Sequence, residues 1–232
     1  MAENQRAHTT RLESLTDTVF GFSIALLIVS VDVPQDFTGL MDIMRGFAGF
    51  ALSFAMIILV WMYHYRFFRD YKLEDSTTIV LNAVLLFVVL FYVYPLKYVV
   101  TVVTTLMGGE FLVTVDEVAI LMAIYSIGFS AVFGVFALMY RHALKNHASL
   151  GLGTHETITA SEHVSSCMIM TGVGLLSVLL ALLLPSPLAG PVAGFSYFLI
   201  GPAQWINSQH YARKRMTPDS SATEPGASDQ KR

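Results

Sequence analysis

Two ionisable side chains stand inside stretches that otherwise exclude charge. Asp17 lies in Leu15-Thr-Asp17-Thr-Val-Phe-Gly-Phe22, and His64 in Trp61-Met-Tyr-His64-Tyr-Arg66. A carboxylate about one turn inside an apolar membrane helix is costly, and such a residue faces a bundle interior or water and takes a partner. Asp17 admits two compatible readings. With Thr16 it caps a helix start and pairs with a neighbouring base, or it belongs to a polar gatehouse at the inner end of a pore. His64 falls at the depth where Asp17 should lie, as a hydrogen-bonded interior residue or as a proton-carrying group. A bond from His64 to Asp17 or Thr16 would tie the first two apolar segments together, and its titration near neutrality would make gating pH-sensitive. Asn82, near the inner end of the third segment, can bond between helices for about 1 kcal/mol.

Other polar pairs point to no chemistry. His155-Glu156 and Glu162-His163 do not match the H-E-x-x-H spacing of a helical zinc site and read as solvated residues of a polar connection. Gly151-Leu-Gly153 lacks the strand and helix that a dinucleotide site needs. No nucleophile–base pair or metal set is visible at membrane depth, so neither an enzyme nor a bound cofactor or metal is expected. Cys167 is the single cysteine, so no intrachain disulfide can form.

The elements that carry these residues are long and apolar. The chain is 54% hydrophobic and 13% charged, with mean hydropathy +0.59, where an ordinary soluble domain carries about 25% charge. Charge spares six windows near the roughly 20 residues needed to cross a bilayer core: Ser14–Val33, Phe47–Tyr65, Thr77–Leu96, Val118–Tyr140, Val164–Leu184 and Leu188–Ile206. The expected fold is all-α, a polytopic transmembrane bundle over residues 14–210. A cytoplasmic N-terminus (1–13) precedes it, and a basic and then disordered cytoplasmic tail (211–232) follows. Val33-Pro34 ends the first span, Pro95 ends or kinks the third, and Pro185-Ser186-Pro187 makes the fifth and sixth a tight hairpin. Gly201-Pro202 implies a break in the inner half of the sixth.

Lys and Arg set the orientation. Arg6, Arg11, Arg66, Arg69, Lys72, Arg141, Lys145, Arg213, Lys214, Arg215, Lys231 and Arg232 fall on one side, leaving only Arg45 and Lys97 of the 14 basic residues on the other. Both termini are then cytoplasmic, in the cell membrane, which agrees with an even number of crossings. The outer connections carry Asp32, Asp36, Asp42, Glu110, Asp116 and Glu117. That acidity either concentrates cations at an outer mouth or reflects only the missing positive bias. A net charge of −3 argues against a nucleic-acid partner.

Phe22, Ala25, Leu26 and Val29 share one face of the first span at i, i+3, i+4 and i+7. Such a stripe packs between helices or, with four copies on one axis, forms a hydrophobic constriction that gates by dewetting.

Arg11, Leu15, Thr16 and Asp17 stand where the bacterial TMEM175-like channels, relatives of the lysosomal potassium channel, have Arg-x-x-x-Phe-Ser-Asp. Trp61-Met-Tyr-His64-Tyr-Arg66 resembles that family's Trp-x-x-His-His-Arg, and Asn82 through Tyr94-Pro95 resembles its third span. The resemblance covers most of residues 8–210. It implies a homotetrameric cation channel that selects potassium over sodium, with potassium and other monovalent cations as its permeant partners. Phe22, Ala25 and Val29 would line the pore with Leu26 adjacent, and Arg11, Thr16, Asp17, Trp61 and His64 would form the network holding the pore helix. Leu15 replaces the hallmark Phe, Thr16 the Ser, Tyr65 the second His, and Ala25 a Thr that contributes to selectivity in relatives. No Thr-Val-Gly-Tyr-Gly filter is present, so discrimination cannot come from rings of filter carbonyls. A proton-linked carrier using Asp17 and His64, and a non-conducting scaffold, are the competing readings.

Overall fold

The computed structural model describes residues 2–29, 34–107 and 114–216. Among them there are helices and no strands: α1 (Ala2–Val29), α2 (Phe37–Tyr71), α3 (Ser76–Met107), α4 (Val115–Lys145), α5 (Thr154–Leu183), α6 (Ala189–Phe195), a 3-10 turn (Ser196–Leu199) and α7 (Ile200–Met216). The first five contain stretches long and apolar enough to cross a membrane: Arg11–Val29, Phe47–Tyr71, Ser76–Val102, Asp116–Lys145 and Thr154–Leu183. The predicted end of the first span at Val33, Asp32, Glu110, the tail from residue 217, and the side chains of Arg6, Asp42 and Arg45 lie outside the described residues.

Most helices outrun the predicted spans, because polar residues start and stop them beyond the apolar window. Asp36 accepts from the Gly39 amide at 2.7 Å to open α2. Lys72 closes it in the left-handed region (φ 47°), donating its amide to the Phe68 carbonyl at 3.0 Å. Thr114 and Glu117 cap α4 reciprocally, the Thr114 amide giving to the Glu117 carboxylate at 2.8 Å and the Glu117 amide to Thr114 Oγ1 at 3.4 Å. Asp75 opens α3, accepting from Thr78 Oγ1 at 2.6 Å and the Thr77 amide at 3.2 Å, and it also meets His142 Nε2 of α4 at 2.8 Å. Burial would raise the Asp75 carboxyl, but the Thr78 hydroxyl, His142 and the Thr77 amide together hold it below the usual carboxylate range.

Two expectations are corrected here. Pro95 does not end the third helix: α3 continues to Met107, as membrane helices tolerate proline where neighbours satisfy the freed backbone. His155-Glu156 and Glu162-His163 are not in a loop but on the first turns of α5. Glu156 starts that helix by accepting from the Gly153 amide at 2.9 Å, Glu162 pairs with Arg215 of α7, and the His163 ring stacks 4.8 Å from Tyr140. The break expected in the sixth segment is present, the 3-10 turn dividing it just ahead of Gly201-Pro202.

The core joins α1–α5 through Phe20, Leu27, Phe67, Leu85, Phe136, Tyr140 and Cys167, all almost wholly buried. A smaller cluster around Leu121, Met122, Ala181 and Ala193 closes the opposite end of the bundle. Small residues bring α4 and α5 together. A Cβ on Gly174 would collide with Ser130 Oγ and come within 3.3 Å of the Ser126 carbonyl oxygen. Ser126 donates to Ser177 at 2.8 Å and Ser177 to the Ala193 carbonyl at 2.9 Å, and Tyr197 donates to Ser126 at 2.9 Å, so hydroxyls stitch α4, α5, α6 and the 3-10 turn.

Candidate pore helix and its polar anchor

α1 divides along its length into a covered and an uncovered face. Thr16, Phe20, Ser23 and Leu27, at i, i+4, i+7 and i+11, are buried against the bundle. On the other side Leu15, Thr18, Phe22, Ala25 and Val29 are exposed, Phe22 at 57% and Val29 at 77%, with Leu26 half-buried between the two faces. The four residues singled out from the stripe are therefore not equivalent. Leu15 and Thr18 extend the uncovered face toward the N-terminus. The same spacing run backward from Phe22 would have found both, but hydropathy alone gives no reason to include a threonine.

The covered face is anchored by a polar ladder across three helices. His64 Nε2 of α2 donates to Asn82 Oδ1 of α3 at 2.9 Å, Asn82 Nδ2 donates to Thr16 Oγ1 of α1 at 3.0 Å, and Thr16 Oγ1 donates to the Leu12 carbonyl at 2.9 Å. All three side chains are nearly sealed from solvent. A buried donor or acceptor left unmatched costs about 1–3 kcal/mol, so each rung holds its neighbour in place. Phe20 and Phe68 flank the imidazole, with ring centroids 6.0 and 4.5 Å away.

The geometry differs from the expected direct bond between His64 and Asp17 or Thr16. Asn82 stands between His64 and Thr16 in the chain of bonds, although α1 also meets the imidazole directly through Phe20. Asp17 turns the other way and accepts from Trp61 Nε1 at 2.9 Å in an exposed contact. Arg11 is exposed and enters neither arrangement. Asn82 was legible as an interhelical hydrogen-bonder; its place at the centre of the ladder was not, since nothing in the spacing sets the register of α3 against α1. Among the described residues no group of three His, Cys, Asp or Glu side chains is placed to hold a metal.

Comparison with known proteins bears on the same region. The family model described as endosomal/lysosomal potassium channel TMEM175 matches residues 11–92, which span α1, α2 and most of α3. A potassium channel of Marivirga tractuosa is 36% identical over 218 residues, 88% of each protein. The crystal structure of the potassium channel MtTMEM175 T38A variant, in complex with a nanobody–MBP fusion, superposes with TM-score 0.79 at 35% identity, covering 88% of this chain and 93% of that one. That of a lysosomal potassium-selective channel TMEM175 homolog from Chamaesiphon minutus superposes with TM-score 0.55 at 19% identity, over 91% of this chain and all of that one, a likeness of fold. These relatives are channels rather than enzymes, which sets the intramembrane-enzyme reading aside. With several apolar membrane-length helices and this relative over most of its length, the chain is a multi-pass membrane protein and belongs to the TMEM175 family.

Proposed function

We propose that this protein is a cation channel passing potassium and other monovalent cations, in which four copies set the uncovered face of α1 around a shared axis. The observation that carries this reading is the split of α1. One face is fixed by a buried ladder, while a mainly apolar stripe from Leu15 to Val29 on the opposite face has no cover among the described residues. Single exposed apolar residues need no explanation, but a contiguous stripe on a helix anchored behind by polar bonds suits a shared interior. Phe22, with Ala25 and Val29 beyond it and Leu26 beside it, forms the constriction, which closes by dewetting. Asp17, held by Trp61, and the exposed Arg11 put charge at the inner mouth.

In this reading α6, the 3-10 turn and α7 together make the sixth crossing. Residues 1–13 and 211–232 both lie in the cytoplasm, and residues 14–210 form the membrane domain of the cell membrane. The basic residues on one side support that orientation. Ala25 offers no hydroxyl to a passing ion, so discrimination between potassium and sodium is weaker than in relatives with threonine there.

Purified full-length protein in liposomes should pass potassium down its gradient, and Phe22→Ala should raise the flux severalfold while leaving the fold unchanged by circular dichroism. Folded protein with no flux would overturn the channel reading, and an unchanged rate would remove Phe22 from the gate. A detergent-solubilised mass near that of the single 25.6 kDa chain would remove the shared axis.

A further inference from the structure

At the end of the bundle that carries Arg66, Arg69 and Arg141, a cleft of about 300 Å³ opens between α2 on one side and α5 and α7 on the other. Among the described residues the α2 backbone comes close to α1, α3 and α4 and not to α5 or α7, while Tyr63 of α2 meets Ser166 of α5 by side chains alone, so the cleft lies between the two halves of the chain. Its lining is rich in donors. Arg66 enters from α2 and makes no hydrogen bond or ion pair among the described residues. Arg215 enters from α7 and is held by Glu162 of α5. Asn207 accepts from Ser165 through Oδ1 at 2.6 Å, which leaves its amide hydrogens unspent. Gln204 uses Oε1 to accept from Ser166 at 2.9 Å and one hydrogen to reach the Ser166 carbonyl at 3.0 Å, leaving a second. The lone carboxylate there, Glu162, is already taken by Arg215.

We propose that this cleft binds a phosphate group, with Arg66 and Arg215 as its two guanidinium clamps and Asn207 and Gln204 as neutral donors. Donors arriving from two separated helices suit an anion with several acceptor oxygens, and guanidinium forks match phosphate with paired bonds. Binding would exchange part of the Glu162 contact of Arg215 for the phosphate and draw α2 toward α5 and α7. Arg66 lies two residues past His64 and five past Trp61, so the ligand would grip the end of the helix that anchors α1. Tyr63 also lines the cleft, and Trp61 and Tyr65 are side chains of the kind that sit at headgroup level. An anionic phospholipid headgroup of the adjacent leaflet and a free phosphate offer the same chemistry.

Native mass spectrometry of the full-length protein, supplied with phosphatidylglycerol or phosphatidylcholine, tests the lipid source; calorimetry with inorganic phosphate tests the free anion. Loss of either charge-assisted clamp should weaken binding about tenfold. Arg66→Gln and Arg215→Gln should therefore retain far less phosphatidylglycerol than the parent, while Arg141→Gln, on α4 and off the cleft, should retain as much. Arg66→Lys keeps the charge at an exposed position, and it should bind more weakly than the parent while unfolding at the same temperature. Arginine-dependent binding of inorganic phosphate, with or without lipid retention, also supports the site and identifies a free anion as a ligand. Equal binding of both probes by the parent and by all cleft variants overturns the proposal. Binding is read without ion flux, so its failure would leave the channel reading standing.

Discussion

Along the seam between α4 and α5, polar groups are small and sealed: Ser126, Ser130 and Ser177 bond to one another or to backbone, and Gly174 lets the helices touch. Along the seam that holds α1, the polar groups are long, come from three helices and bond in series through one amide. The first arrangement leaves little slack, because short side chains and Gly174 bring the two backbones close. The second fixes a helix by a few directional bonds while the far face of that helix stays uncovered. The bundle thus combines a frame that does not yield with a first helix whose position is set by separable contacts.

The comparison can be broken at either seam. The largest effect belongs to the frame. Gly174→Leu must push α5 away from Ser130 and the Ser126 carbonyl, and overpacking of this kind costs about 1–3 kcal/mol or more. It should abolish the stably folded protein, which size-exclusion chromatography after solubilisation would show; a normally eluting Gly174→Leu would mean that the α4–α5 seam has slack after all. Next comes the ladder. Asn82→Leu leaves Thr16 and His64 without their partner and should lower stability by about 1–2 kcal/mol, read as a lower unfolding temperature, with α4 and α5 still protected from hydrogen exchange. Equal loss of protection throughout the bundle would erase the distinction between frame and anchored helix. Smallest is Trp61→Phe, which removes the exposed bond to Asp17 while keeping an aromatic ring. It should change the unfolding temperature little, since an exposed bond of this kind contributes about 0.5–1.5 kcal/mol at most.

The sequence makes the membrane-length helices, the Pro185–Pro187 hairpin turn and the polar identity of the α1 anchor legible, because charge exclusion and turn chemistry are local properties. Where each helix stops is less legible. Hydropathy marks the apolar middle, whereas caps such as Asp36, Thr114 with Glu117, and Gly153 with Glu156 lie beyond it. His155, Glu156, Glu162 and His163 look like loop residues because helical polar turns packed on other protein have no hydropathy signature. The order of the ladder is hidden for a different reason. Thr16, His64 and Asn82 announce themselves as hydrogen-bonding groups, but which pairs form depends on helix rotation and register, which no single segment encodes. The division of α1 into faces is readable from the spacing of Phe22, Ala25 and Val29, yet which face turns inward is set by Thr16, Phe20 and Ser23 meeting the other helices.

The direction of the ladder bears on charge. His64 meets Asn82 through a nitrogen that gives its hydrogen away, and an imidazolium carries hydrogen on both ring nitrogens. The bonds from His64 to Asn82, Thr16 and Leu12 thus keep the same donors and acceptors whether the ring is neutral or cationic, and an added proton enters at Nδ1 without reversing a rung. Keeping the rungs is not the whole cost, because the added charge would sit in a ring almost wholly buried between Phe20 and Phe68.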